Sequence, residues 1–179
     1  MNPKLFFVID VESIGLHGDG YAVGGCILDL ETGSRHSSFC ISCEPWKAKG
    51  VQSDRDWIAA NVPAITVTDE SPRSLRDTFW REWESAKVKF PGIVMAAECG
   101  WPVEANFLEA CIKDDEKNRR FSGPYPLHEI ASFMQAAGMD PMATYERDIF
   151  EEPKHNPRCD ALQSARLLHE SICKITVNQ

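Results

Sequence analysis

The chain reads as an α/β protein, a mixed sheet flanked by helices, and three observations predict this. An apolar run near the N-terminus has the composition of a buried central strand. Two more strand-like runs follow it at short separations, as in an antiparallel meander. Beyond residue 70 the pattern changes to helical stripes interrupted by one short apolar strand.

The first strand is placed at residues 4–12, where Leu5-Phe6-Phe7-Val8-Ile9 runs into Asp10-Val11-Glu12 before Gly15. The second spans Tyr21 to Leu28. Glu31-Thr32-Gly33 makes a turn, and Arg35 to Ile41 form the third, with partial alternation. Residues 43–70 are less regular, with a short helix expected near Asp56–Asn61. Ser71-Pro72 is a cap followed by proline at the first helical position, and Leu75, Phe79, Trp83 and Ala86 give that helix its apolar stripe. Pro91-Gly92 ends it. Ile93 to Ala97 is a short buried strand, followed by a helix from about Pro102 to Lys113. Lys113 to Arg120 is expected to be a solvated connection, and Leu127 to Ala137 a helix stopped by Gly138. The last helix is capped by Asn156, has Pro157 at its first position, and buries Ala161, Ala165, Leu168 and Ile172.

With 179 residues and no internal repeat or linker, residues 1–179 read as a single domain with a substantial core. The hydrophobic share of 43% argues against disorder, and no apolar stretch is long enough to span a membrane. The N-terminal run is short and ends in an acid, unlike a secretory signal. Seven cysteines without a framework spacing suggest reduced thiols and a cytoplasmic setting; Cys40 and Cys43 form a lone CxxC read as structural. A net charge of −8 and a pI of about 5.1 argue against a protein that holds nucleic acid mainly through a broad basic face. They leave room for an enzyme whose cations neutralise phosphate at the site.

The chemistry begins with Asp10 and Glu12. Alternation along a strand points both the same way, so two carboxylates stand where the pattern calls for apolar side chains. Two like charges that close repel and are costly to bury, unless a hard divalent cation lies between them. The alternative is that both lie beyond the strand end, solvated. Three more residues join the pair in chain order: Glu104 in the first turn of a helix, His155 just before the last helix, and Asp160 within its first turn. Each taken alone is consistent with an ordinary helix-start or loop residue.

In order and spacing, Val8-Ile9-Asp10-Val11-Glu12-Ser13-Ile14-Gly15-Leu16, Glu104-Ala105-Asn106-Phe107-Leu108 and His155-Asn156-Pro157-Arg158-Cys159-Asp160-Ala161 resemble the motifs of the DEDDh 3′→5′ exonucleases, the ribonuclease H-like nucleases that include proofreading subunits. The resemblance implies a ribonuclease H-like sheet and a two-metal hydrolysis of phosphodiester bonds from the 3′ end of single-stranded nucleic acid, with RNA placed ahead of DNA. It implies that Asp10, Glu12, Glu104 and Asp160 hold two Mg²⁺ or Mn²⁺ ions and that His155 is the general base. It further implies that Ser13 and Leu16 touch the terminal nucleotide, that Lys154 and Arg158 meet phosphate, and that a homodimer forms, with the Trp46 to Trp57 region as its candidate surface. One residue departs from the pattern, since the family has Asp where this chain has Glu104; Glu98 and Glu109 are the other acids nearby. That departure keeps open a catalytically lapsed member that only binds nucleic acid or a nucleotide. The acidic balance keeps open a phosphodiesterase for very short oligonucleotides.

Overall fold

The computed structural model describes residues 4–177. Five strands form one sheet in the order β3-β2-β1-β4-β5, where β1 is Leu5–Ser13, β2 Gly20–Asp29, β3 Arg35–Ser42, β4 Val94–Ala97 and β5 Leu127–Glu129. The first three strands make the expected antiparallel meander, while β4 runs parallel to β1 and β5 parallel to β4. The helices are α1 (Gln52–Asn61), α2 (Pro72–Lys89), α3 (Ala105–Asp114), α4 (Glu116–Arg119), α5 (Ile130–Ala136) and α6 (Pro157–Val177).

Because β1 is central and covered on both sides, it must be apolar on both faces, which explains its near-continuous run. Phe7, Ile9 and Val11 enter one core with Leu75, Phe79 and Trp83 of α2 and Phe107 of α3. Phe6 and Val8 enter a second core with Ile130 and Met134 of α5 and Ala165 and Leu168 of α6. Asp10 and Glu12 continue this second face, so the strand that builds the core delivers two carboxylates to the start of α6.

Gly24 makes that approach possible. It lies opposite Asp10 in the β1–β2 register. A Cβ there would fall 2.1 Å from the Arg158 nitrogen and 2.2 Å from the Pro157 carbonyl carbon, so only glycine lets α6 begin directly on the sheet. The helix is capped as expected, with Asn156 Oδ1 accepting from the backbone N–H of Arg158 at 3.2 Å and of Cys159 at 3.4 Å. Ser71 and Ser74 form a reciprocal cap on α2.

Several expectations need correction. Leu127–Glu129 is a strand, not the first turn of a helix: it covers the outer edge of β4, and three residues are too few to display an alternation. The segment Lys113 to Arg120 is not a solvated connection. It contains α4, and Arg119 is buried, with Nη2 2.6 Å from Asp77 Oδ1, Nη1 donating to the Cys111 carbonyl at 2.9 Å, and its guanidinium 5.3 Å from the Trp80 ring centre. Composition cannot distinguish a solvated arginine from one buried by pairing. The helix near Asp56–Asn61 begins earlier, at Gln52. A wide π-turn, Gly100–Glu104, precedes α3 where a regular helical start was expected. All seven cysteines are free, Cys40 half-buried on β3 and Cys43 buried just after it. Among the described residues no helix is long and apolar enough to cross a membrane.

Candidate active site

Four carboxylates and one histidine meet at the carboxyl end of β1. Asp10 and Glu12 arrive from the strand, Glu104 from the π-turn, Asp160 from the first turn of α6, and His155 from the residue before its cap. One ligand atom each from Glu12, His155 and Asp160 lies within 4.8 Å of the others. The backbone N–H of His155 donates to Asp160 Oδ2 at 3.0 Å, and His155 Nδ1 is 3.8 Å from Glu12 Oε1. His155 holds this place with a left-handed backbone (φ 62°), a conformation rare outside glycine and one that clusters at functional sites.

The electrostatics are those of acids buried without enough counter-charge. Burial, then Asp160, Glu104, Glu12 and Glu98, pushes the Asp10 carboxyl well above the usual carboxylate range. Burial and the same neighbours, Asp160 and Glu104, push Glu12 up to about 8. Glu104, only 8% exposed, is pushed up to about 7 by burial, although the backbone N–H groups of Glu104 and Val11 pull the other way. Asp160 is raised by burial even though Arg147 opposes it. Arg147 Nη2 lies 2.6 Å from Asp160 Oδ1 as an ion pair, yet the angle leaves that buried oxygen without a formal hydrogen bond. Burial lowers the His155 pKa, and Lys154 and Arg147 lower it further against the pull of Asp160, so the ring is neutral at neutral pH.

A cleft of about 390 Å³ opens beside these groups, lined by Glu12, Ser13, Gly15, Leu16, Trp57, Val103 and His155. Leu16 is 63% exposed, free to meet a ligand rather than packed in the core. The Trp57 ring stands edge-on to His155 with centroids 5.5 Å apart. Lys154 and Arg158 are exposed; Arg158 lines a separate polar groove with Asn156, Ser38 and Thr66. Of the other two acids near the second motif, Glu98 joins the edge of the cluster and accepts the Ser164 hydroxyl at 2.9 Å, whereas Glu109 pairs with Lys113 at the surface.

Two residues at the site escaped the sequence reading. Trp57 was assigned only to a candidate dimer surface, and its place against His155 depends on how α1 docks. Arg147 lies in an irregular segment with no cap, period or motif spacing. No local signal could have found either.

No family model matches the chain, and no curated protein matches it in sequence. Solved structures do. A full-length 3′-exonuclease superposes with a TM-score of 0.57 at 12% identity, over 97% of this chain and 83% of that one. The nuclease domain of 3′hExo, a DEDDh family member bound to rAMP, gives 0.55 at 11% identity, over 96% and 93%. A moderately thermophilic Exonuclease I from Methylocaldum szegediense gives 0.59 at 16% identity, over 93% of this chain and 40% of its own. The fold is therefore the ribonuclease H-like α/β fold of the DEDDh 3′-exonucleases. Helices flank a mixed sheet whose antiparallel meander and parallel β4 follow the sequence expectation, while β5 was expected to be helical.

Proposed function

We propose that the chain is a DEDDh-type, metal-dependent 3′→5′ exonuclease that hydrolyses single-stranded nucleic acid from its 3′ end. The observation that carries this reading is the convergence of buried Glu104 with half-buried Asp10, Glu12 and Asp160, with one arginine and no lysine against them among the described residues. Such a cluster is unfavourable until cations join it. The donor set fits Mg²⁺ or Mn²⁺: Glu12, Asp160 and His155 bring ligand atoms within 4.8 Å of one another, and Asp10 and Glu104 add carboxylate oxygens beside them.

Bound divalent ions would supply charge neutralisation at the phosphate and a water acidic enough to attack near neutral pH. The chain's own residues do the rest. His155 is neutral, and with Nδ1 turned toward Glu12 its Nε2 is the nitrogen left to take a proton from the attacking water. Glu104 reaches from the π-turn to β1, where the backbone N–H of Val11 favours its charged form. Leu16 and Trp57 line the cleft beside His155 and would serve as apolar walls for a terminal base, while the Ser13 backbone N–H and the exposed cations Lys154 and Arg158 would meet phosphate.

A time course on 5′-labelled single-stranded RNA and DNA, with Mg²⁺, Mn²⁺ or EDTA, tests the proposal. A descending ladder that needs the metal supports it, and the preferred strand identifies the substrate. Cuts within a circular strand would show an endonuclease instead. Turnover confined to dinucleotides would point to a short-oligonucleotide phosphodiesterase, and binding without turnover to a lapsed enzyme.

A further inference from the structure

Of the four carboxylates at the end of β1, Asp160 alone faces a fixed cation. Arg147 Nη2 lies 2.6 Å from Asp160 Oδ1, and both side chains are about 13% exposed. The other oxygen, Oδ2, accepts the His155 backbone N–H at 3.0 Å. Both oxygens of Asp160 are thus engaged by the protein itself.

The contact is built into the fold. Arg147 Nη1 donates to the Glu151 carbonyl at 2.6 Å. Glu151 is fully buried, and its carboxylate accepts from Arg35 of β3 at 2.5 Å and from Arg166 of α6 at 2.8 Å. Arg166 also donates to the Glu146 carbonyl at 2.7 Å, and Arg35 to Asp148 at 2.7 Å. The segment Glu146–Glu151 is therefore clamped to the helix that carries Asp160, with Arg147 aimed at the carboxylate.

An arginine cannot ligate a metal, since it has no lone pair to give and is never deprotonated in a protein. Beside a metal ligand it does two opposed things: it orients the carboxylate, and it repels an arriving cation. We infer that Arg147 gates Asp160, holding its carboxylate with a protein charge in the resting state and weakening divalent-cation binding to this side of the site until nucleic acid supplies phosphate to share the charge. This rests on the metal-site reading above.

The sign of one measurement separates gating from simple support. Mn²⁺ is titrated calorimetrically into the full-length protein without nucleic acid, for wild type, Arg147→Met, Arg147→Gln and Arg147→Lys, with folding checked by circular dichroism. Gating predicts that the two neutral variants bind Mn²⁺ roughly tenfold more tightly or take up an additional ion, while Arg147→Lys stays within about twofold of wild type. Adding Asp160→Asn to Arg147→Met should erase the gain. Arg147→Gln, which keeps a donor for the Glu151 carbonyl, serves if the Met variant does not fold. Unchanged or weaker binding in the neutral variants, with wild type binding Mn²⁺, would overturn the gate and leave the metal site standing. No binding by any variant would overturn the metal site itself, and the gate with it.

Discussion

Two clusters of buried charge lie along α6, and they have been built to opposite rules. Around Glu151, every charge has a partner. Burial alone would raise this carboxyl, but Arg166, the Asp148 backbone N–H and Arg35 together hold it below the usual carboxylate range. At the end of β1, Asp10, Glu12 and Glu104 are gathered with no lysine or arginine against them among the described residues, and all three are raised. The same cost of burying charge is offset in the first cluster by the protein. In the second it is left to be offset by something else. Paired burial locks the segment before His155 to the helix, whereas unpaired burial marks the place where cations and substrate phosphate would enter.

The largest expected effect falls on the unpaired cluster. Asp10→Asn should bring nuclease turnover below detection. At pH 8 in EDTA, however, the variant should unfold in urea no earlier than wild type, because it removes a charge that has no partner. Early unfolding would mean that Asp10 contributes to the fold through a partner and would blur the contrast. The paired cluster should behave in the reverse sense. Glu151→Ala leaves Arg35 and Arg166 facing each other across a cavity, and a loss of about 3–5 kcal/mol in urea unfolding is expected. A loss below about 1 kcal/mol would show that the cluster relaxes into water.

Next in size, His155→Ala should slow turnover by roughly 10²–10⁴-fold while Mn²⁺ binding measured by calorimetry is largely kept. Lost metal binding with the carboxylates intact would make the histidine a ligand rather than the base. Smaller still is the effect expected at Glu104. Glu104→Gln keeps the size and removes the charge, and should lower turnover sharply. Glu104→Asp should retain measurable activity, with an altered preference between Mg²⁺ and Mn²⁺. If both variants stay within a few-fold of wild type, Glu104 is only a buried residue of the π-turn.

The contrast between the clusters also explains what could be read from the chain alone. Asp10 and Glu12 were legible because they interrupt an apolar alternation, a local pattern with a direct physical cost. Asn156-Pro157 announced α6, and with it the position of Asp160 one turn inside. His155 became legible through its spacing from Asp160. The paired cluster was invisible, since Arg35, Arg147, Glu151 and Arg166 are separated in sequence and an isolated arginine reads as solvent-exposed. β5 was read as helix because its three residues carry no period and its role is set by the open edge of β4. Trp57 was assigned only to a candidate dimer surface, and its contact with His155 arises from tertiary docking.

The central claim is that the acids at the end of β1 are buried in wait for cations, and stability against pH tests it most directly. Glu12 and Glu104 bind protons more tightly when folded, near 8 and 7, than at their ordinary value of 4.5. Their favourable contribution is complete below about pH 4.5 and is lost as pH rises through the folded values. Glu151 has the opposite sign, its contribution present above 4.5 and fading as pH falls through its depressed value. In EDTA the thermal midpoint should therefore decline between about pH 5 and 8, and saturating Mn²⁺ should raise it most at pH 8 and remove most of the decline. A midpoint in EDTA that is flat or rising over that range, with no gain from Mn²⁺, would contradict the account.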